Sequence, residues 1–197
     1  MKKVLAIMGS PRRNKNTEKL LDFLLEGIKE LDYEVNKVII KDIEIHACTG
    51  CDHCGRTSKC IFNDGMVDVY DKIDNSDLVI FAAPLYFNSL NGISKNLVDR
   101  MQRYWSIKYT IGDNYKRNQD RKGIFLSAGG APFSHNQFNG TLPVMDFFFK
   151  AINCHYLGNY FFSNTDERNV HHSIHVKDQL FQIGKNIETI DDFYYHI

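Results

Sequence analysis

The stretch Val4–Leu25 reads VLAIM, then GSPRRNKNT, then EKLLDFLL, and these three parts decide the fold. The first is a short apolar run of the kind that forms a strand covered on both faces. The polar loop Gly9–Thr17 follows. Leu20, Leu21, Leu24, Leu25, Ile28 and Leu31 then recur along one stripe with a 3.6-residue period, which predicts a helix. A strand feeding a helix through such a loop has the chemistry of an anion site. Ser10, Asn16 and Thr17 carry side-chain donors, and Gly9 lets backbone approach. Arg12, Arg13 and Lys15 add charge, and the helix N-terminus offers unpaired N–H groups. The loop is neither G-x-x-x-x-G-K-[ST] nor G-x-G-x-x-G, which disfavours the nucleoside-triphosphate and dinucleotide readings. Taken alone, it is also a plain strand-to-helix turn capped by Asn16 or Thr17.

A chain of 197 residues is long enough for a full core, and it is expected to form one domain over 1–197. Lysine plus arginine number 24 and aspartate plus glutamate also 24, so nothing in the charge argues for nucleic acid or an anionic membrane. Lys2-Lys3 before VLAIM imitates a secretory leader, but Pro11-Arg12-Arg13 stops the apolar run with no small-residue cleavage site. The paired arginines are not followed by an apolar segment, and no window approaches a transmembrane length. The expected compartment is the cytoplasm, where cysteines are kept as thiols or bind metal.

Further along, 34–40 reads as a second strand and 41–64 as a cysteine-bearing loop. Residues 66–73 read as a short helix with Met66, Val69, Tyr70 and Ile73 on one side. The clearest strand is 77–83 (DLVIFAA), ending at Pro84 in the loop PLYFNSLNG, and a helix is predicted over 93–105. Residues 106–121 are polar and basic without periodicity, which suits a lid or a mobile connection. A fourth strand, 123–128, closes at Gly129-Gly130, and Thr141 is placed to cap a phenylalanine-rich helix over 142–152. A fifth strand spans 154–162, and Val176, Leu180, Ile183, Ile187 and Ile190 mark a last helix. This alternation predicts an α/β fold: a three-layer α/β/α sandwich with five parallel strands in the order 2-1-3-4-5, the flavodoxin-like arrangement. Loops that follow strands then share one rim. The loops at 9–17, 84–92 and 127–140 and the cysteine loop are expected to meet there, around a crevice between strands 1 and 3.

Pro84, Leu85, Tyr86, Phe87 and Asn88 set aromatic surface beside backbone amides, the mixture that a flat heterocycle wants. They could equally fold back into the core. A phosphate on the first loop and a ring on the third describe a mononucleotide, and flavin mononucleotide (FMN) fits. Gly9-Ser10-Pro11-Arg12 with Asn16-Thr17, then Ala83-Pro84-Leu85-Tyr86-Phe87 and later Lys95 and Asp99-Arg100, resemble the NADPH-dependent FMN reductase-like branch of the flavodoxin-like proteins. The resemblance covers about the first 105 residues. It implies that Ser10, Arg12, Asn16 and Thr17 bind the FMN phosphate and that Pro84 through Asn88 line the isoalloxazine. By position it also implies that Ala128, Gly129 and Gly130 border the ring.

Cys48, Cys51, Cys54 and Cys60 stand as C-x2-C-x2-C-x5-C in CTGCDHCGRTSKC, with glycines that let the loop coil. Such a loop can surround a compact [4Fe–4S] cluster, although the last gap is longer than in the bacterial ferredoxin run and no proline follows. Zinc, a thiol–disulfide switch at Cys51 and Cys54, and unliganded thiols are the other readings. The spacing also resembles the iron–sulfur flavoproteins, which combine this fold with a four-cysteine motif after the second strand. With neighbouring strands roughly 5 Å apart, the cysteine loop is expected near the crevice, within a protomer or across an oligomer contact. Cys154 reads as core, and His171, His172 and His175 as solvated surface.

These readings converge on an FMN-dependent oxidoreductase. With a cluster, the resemblance implies ferredoxin-like electron supply; without one, NAD(P)H is the expected donor, as in an FMN or quinone reductase. A non-enzymatic redox-sensing module is the other class. The expected partners are a small redox carrier or small-molecule acceptor. The run Phe147-Phe148-Phe149 predicts a homo-oligomer contact, in a dimer or tetramer, or else dense core packing.

Overall fold

The computed structural model describes residues 1–113, 120–134 and 136–197. Val4, Leu5, Ala6, Ile7 and Met8 fill β1 (Lys2–Met8), with no exposed surface at any of the five, as a continuous apolar run requires of a central strand. It pairs in parallel with β2 (Tyr33–Ile39) on one side and β3 (Leu78–Tyr86) on the other. The sheet continues through β5 (Lys122–Ala128), β6 (His155–Phe162) and β7 (Phe193–His196), all parallel. A two-residue β4 (Ser89–Leu90) folds back antiparallel on the tip of β3. The strand order is thus β2-β1-β3-β5-β6-β7, with β4 beside β3.

The expected flavodoxin-like order is present, but the sheet has seven strands rather than five. The four residues of β7 (FYYH) carry no long apolar run, because an edge strand buries less of itself. The turn that makes β4 falls inside what reads as a loop.

Alternation along β1 sends Leu5 and Ile7 to one face and Val4, Ala6 and Met8 to the other. Helices α1 (Asn16–Ile28) and α7 (Ile174–Lys185) cover the second face. They approach so closely that a Cβ on Gly27 would run into the Phe181 carbonyl, and one on Gly184 into that of Leu24. The first face is covered by α3 (Met66–Asp74), α4 (Gly92–Asp99) and α6 (Leu142–Ala151). A short α2 (His53–Thr57) lies within the cysteine loop. Residues 186–190, expected to be helical, lie beyond the end of α7.

The helix predicted over 93–105 is two helices, α4 and then α5 (Gln102–Ser106). Between them the ladder tightens, Met101 N–H bonding the carbonyl of Val98 at 3.0 Å. A π-helical turn, Ile107–Ile111, continues from α5. The segment 106–121 is therefore ordered at both ends. Lys108 is buried and donates to the Lys150 carbonyl at 2.6 Å, while buried Arg121 donates to carbonyls of Ile73, Ser76 and Ile152. The middle of the expected lid, 114–119, lies outside the described residues. Cys154 belongs to the core, where burial pushes its thiol up to about 11, and His171, His172 and His175 are exposed.

Candidate functional site

The loops at the carboxyl ends of the strands are tied in two pairs. Gly9 N–H donates to the Ala82 carbonyl at 2.7 Å, and the Gly9 carbonyl accepts from Asn91 Nδ2 at 2.8 Å and Ser94 Oγ at 3.3 Å. A Cβ at Gly9 would collide with that Ser94 hydroxyl, so only glycine fits. The loop after β5 laces to the one after β6: Gly129 N–H bonds Phe162 O at 2.9 Å, and Asn164 N–H bonds Ala131 O at 2.8 Å.

In the first loop, Ser10 and Thr17 are buried and Arg12 is exposed. The Ser10 hydroxyl turns inward, accepting from Arg12 N–H at 3.2 Å and donating to Arg12 O at 3.1 Å. Asn16 is not the cap of α1. It is the first helical residue, and its Oδ1 accepts from Val170 N–H at 3.0 Å. Arg13 is engaged by Glu18 and Asp42, both at 3.3 Å, whereas the Arg12 side chain has no ion pair among the described residues. Glu18, almost wholly buried in the first turn of α1, escapes the sequence reading. It accepts from Asn14 N–H at 2.6 Å and pairs with Lys37 Nζ at 2.9 Å. Burial pushes its carboxyl up, but the Asn14 amide, Lys37 and Arg13 outweigh that and hold it at about 2.

In the third loop, Pro84 is buried, Leu85 half-buried, and Tyr86, Phe87 and Asn88 exposed. Tyr86 pairs with Ser89 across a two-residue turn whose central residues, Phe87 and Asn88, have φ of 50° and 55°. Both positive angles mark a type I′ turn, which leaves the central amides outside the ladder. Phenylalanine is costly in the left-handed region, by roughly 1–3 kcal/mol, and here its ring is fully exposed. Strain and exposure coincide at this turn. Ala128 and Gly129 are buried and Gly130 half-buried at the end of β5. The Gly129 N–H is spent on the Phe162 carbonyl and is not a free donor.

The four cysteines take a different course. Their loop turns from the rim and packs against the far end of α4 and against α5. There Cys48, Cys51, Cys54 and Cys60 line one cavity of about 340 Å³ with Asp99, Arg100, Gln102 and Arg103. Asn91 and Arg100 stand at opposite ends of α4, about 13 Å apart by helical rise. Cys48 and Cys51 are exposed, Cys54 and Cys60 half-buried, and all are free thiols. Asp52 and Ser58, with φ of 55° and 60°, bend the chain on either side of α2. Among the described residues no three ligand-type side chains gather closely enough for a single ion. A cluster several atoms across needs its thiolates further apart than one ion does, and a shared cavity suits that demand.

Buried polar atoms left without a partner fall around the same two places. Among the described residues, Asn91 Oδ1, Ser127 Oγ and Asn164 Oδ1 lie at or beside the rim, while Arg100 Nε belongs to a residue that lines the cysteine cavity. Buried polar groups are ordinarily satisfied, so this concentration fits sites built for polar ligands. Asn91 could have been suspected from sequence, since asparagine before a helix is a common cap. Its side chain makes no cap bond and reaches back to Gly9 instead.

Residues 2–167 match the family model for NADPH-dependent FMN reductase. The chain belongs to the NADPH-dependent FMN reductase family. An iron-sulfur flavoprotein of Archaeoglobus fulgidus is 40% identical over 98 residues, 50% of this chain and 48% of that protein. An iron-sulfur flavoprotein of Methanosarcina thermophila is 31% identical over 129 residues, 66% of this chain and 64% of that protein. The chain spans about half the length of the curated relatives it matches first. Among solved structures, a flavone reductase superposes with a TM-score of 0.69 at 19% identity, covering 98% of this chain and 66% of that one. The family assignment and the flavodoxin-like fold expected from sequence both hold.

Proposed function

We propose that this chain is an FMN-dependent oxidoreductase, with FMN in the crevice between the loops after β1 and β3 and a [4Fe–4S] centre on Cys48, Cys51, Cys54 and Cys60. The observation that carries the flavin half is Asn91, which binds Gly9 across the crevice and keeps a buried Oδ1 unspent. Membership of the FMN reductase family supports it further. For the cluster, the support is four thiols around one cavity, together with relatives that are named iron-sulfur flavoproteins.

Bound FMN supplies two-electron chemistry with a hydride donor, and a [4Fe–4S] centre passes electrons singly. The chain's own part is positioning. First-turn amides of α1, Ser10, Thr17, the free Arg12 guanidinium and the Asn16 amide nitrogen would hold the phosphate. The exposed amides of Phe87 and Asn88 would donate to the ring edge, with Pro84, Leu85 and Tyr86 against its face. Ala128, Gly129 and Gly130 would border the ring through contact. Electrons would come from NAD(P)H or a small redox carrier and leave to a small-molecule acceptor.

The same proposal takes 1–197 as one FMN-binding unit in the cytoplasm, where the thiols stay reduced. No helix among the described residues is long and apolar enough to cross a membrane. It also takes the chain as a homo-oligomer, a dimer or tetramer, through the groove of about 420 Å³ between α4–α5 and α6. Trp105 and Phe147 line that groove and remain exposed, although Phe148 and Phe149 are core.

The test is anaerobic purification with flavin and iron counted per chain. Yellow protein containing iron, whose Cys48→Ser, Cys51→Ser double variant keeps flavin and loses iron, is the expected result. Protein with neither colour nor iron ends the proposal, and hydride oxidation at an equal rate in the double variant leaves a cluster-free reductase.

A further inference from the structure

The four cysteines are not equivalent. Cys60 Sγ lies 3.2 Å from Arg100 Nη2, and Cys54 Sγ lies 3.4 Å from Ser106 Oγ. Cys48 and Cys51 have no hydrogen bond to their sulfurs among the described residues and face solvent. Arg100 donates to Cys60, the Cys54 thiol donates to Ser106, and both partners come from the single segment 100–106, the break between α4 and α5 and the helix after it. The same segment fixes the loop's backbone, since Arg103 Nε donates to the Ser58 carbonyl at 2.9 Å.

Arg100 cannot swing away. Its Nη1 donates to the His46 carbonyl at 2.8 Å and to Asp64 Oδ2 at 2.7 Å, and Nη2 reaches Asp64 Oδ1 at 3.1 Å as well as the sulfur. The guanidinium lies over the Phe62 ring at 5.2 Å, and Tyr70 donates to the Arg100 carbonyl at 2.8 Å. Asp64 is itself held by the amides of His46 and Met66. The carboxylate cancels most of the arginine's charge, so what reaches Cys60 is chiefly a directed N–H. Ser106 is similarly prepared. Its oxygen accepts from Gln102 Nε2 at 3.5 Å and from the Cys54 thiol, and once that thiol gives up its proton to bind iron the serine hydroxyl hydrogen is the one left to point at the sulfur.

We infer that the 100–106 segment tunes the reduction potential of the sulfur site, with Arg100 and Ser106 as positioning residues donating to Cys60 and Cys54. The inference rests on the reading that these cysteines hold an iron–sulfur centre. When such a centre takes up one electron, negative charge on its sulfurs grows and each donor bond strengthens, so the bonds favour the reduced form and raise the potential. The two exposed thiols leave the opposite side open to an electron carrier.

The experiment uses anaerobically purified holoprotein, with iron and labile sulfide counted first. One-electron reduction by mediated dithionite titration is then followed through the cluster's paramagnetic signal, for the wild type, Arg100→Lys and Ser106→Ala. Arg100→Lys keeps the charge and loses the fork that serves Asp64 and the sulfur together. Its reduction equilibrium constant is expected to fall about tenfold, which is about 59 mV for one electron. Ser106→Ala, a small change at a buried position, is expected to lower the constant about threefold. The flavin midpoint, read in the same titration, is expected to stay where it is. Iron-loaded variants with cluster midpoints unchanged or raised overturn the proposal alone, as does an equal shift in both midpoints. If Arg100→Lys does not fold, Ser106→Ala decides by the same criterion. A wild-type chain without iron overturns the cluster reading and the tuning with it.

Discussion

A carboxylate buried in the first turn of a helix proposed to receive a phosphate needs its own charge answered locally. At Glu18 the answer comes from Asn14 N–H, Lys37 and Arg13, and those bonds shape the loop into which an anion would fit. Its carboxyl, held at about 2 in the fold against an ordinary 4.5, is a depressed acid. The stability it contributes is therefore complete above pH 4.5 and is lost as pH falls toward 2. Urea unfolding of Glu18→Gln is expected to show a shallower loss of stability across that window than the wild type. At neutral pH the variant is expected to be less stable by about 1–3 kcal/mol, because Lys37 and the Asn14 amide lose a charged acceptor. An acid slope identical to the wild type's removes Glu18 from this role. Asn91 gives a sharper test of the crevice. Asn91→Ala strips the Gly9 carbonyl of the shorter of its two side-chain bonds and leaves that from Ser94, and the apoprotein's FMN dissociation constant is expected to rise about tenfold by fluorescence titration. An unchanged constant disconnects Asn91 from the flavin. Sequence offers Asn91 only as a helix cap and does not single out Glu18, since the Gly9 partner of Asn91 lies 82 positions away and the Lys37 partner of Glu18 lies 19 away.

Elements that bury a continuous face can be read from one sequence, and elements defined by their neighbours cannot. The strands β1 and β3 are apolar runs, and α3 shows Met66, Val69, Tyr70 and Ile73 on one side, all four buried. By contrast, the split between α4 and α5 accompanies Arg100 being drawn inward to Asp64 and Cys60, a reason that lies outside the helix. The strand β7 exists because α7 returns the chain beside β6, and its own four residues say little. The first loop was legible in composition but not in wiring. Ser10, Asn16 and Arg13 spend bonds on the protein itself, leaving Arg12 and the helix amides as the freer donors. The cysteine motif was legible as four thiols grouped in one loop, which line one cavity, yet its place against α5 rather than at the rim depends on side chains of the 100–106 segment. The contact between α1 and α7 is likewise invisible until Gly27 and Gly184 are seen face to face. Gly184→Ala sets a methyl against the Leu24 carbonyl and must push the helices apart. Its expected cost is about 1–3 kcal/mol, read as a lower urea midpoint. An unshifted midpoint would falsify the tight crossing.

At the scale of the whole molecule, formal charge sums to zero, so two copies meet without net repulsion and association is left to apolar surface. One cluster of that surface lies where α5, the π-helical turn and α6 meet. Trp105 stands 6.0 Å from Phe147 and 4.3 Å from Tyr109 between ring centroids, and all three are exposed. The neighbouring Phe148 and Phe149 are core, so the phenylalanine run divides its labour within one turn of α6. Trp105 is the only tryptophan in the chain, which makes it a private reporter of this face. If a second copy covers the groove, Trp105 loses its water, and its emission is expected to shift to the red on dilution as the assembly dissociates. Sedimentation at the same concentrations is expected to show the mass falling in step. Phe147→Lys places a charge where the partner's apolar surface would sit, and it is expected to sediment as a monomer throughout. Because Phe147 is already exposed, the substitution should alter monomer stability by only about 0.5 kcal/mol, so a monomeric variant cannot be mistaken for an unfolded one. A wild-type chain that is monomeric at high concentration ends the homo-oligomer proposal, and a variant that assembles as well as the wild type moves the interface away from α6.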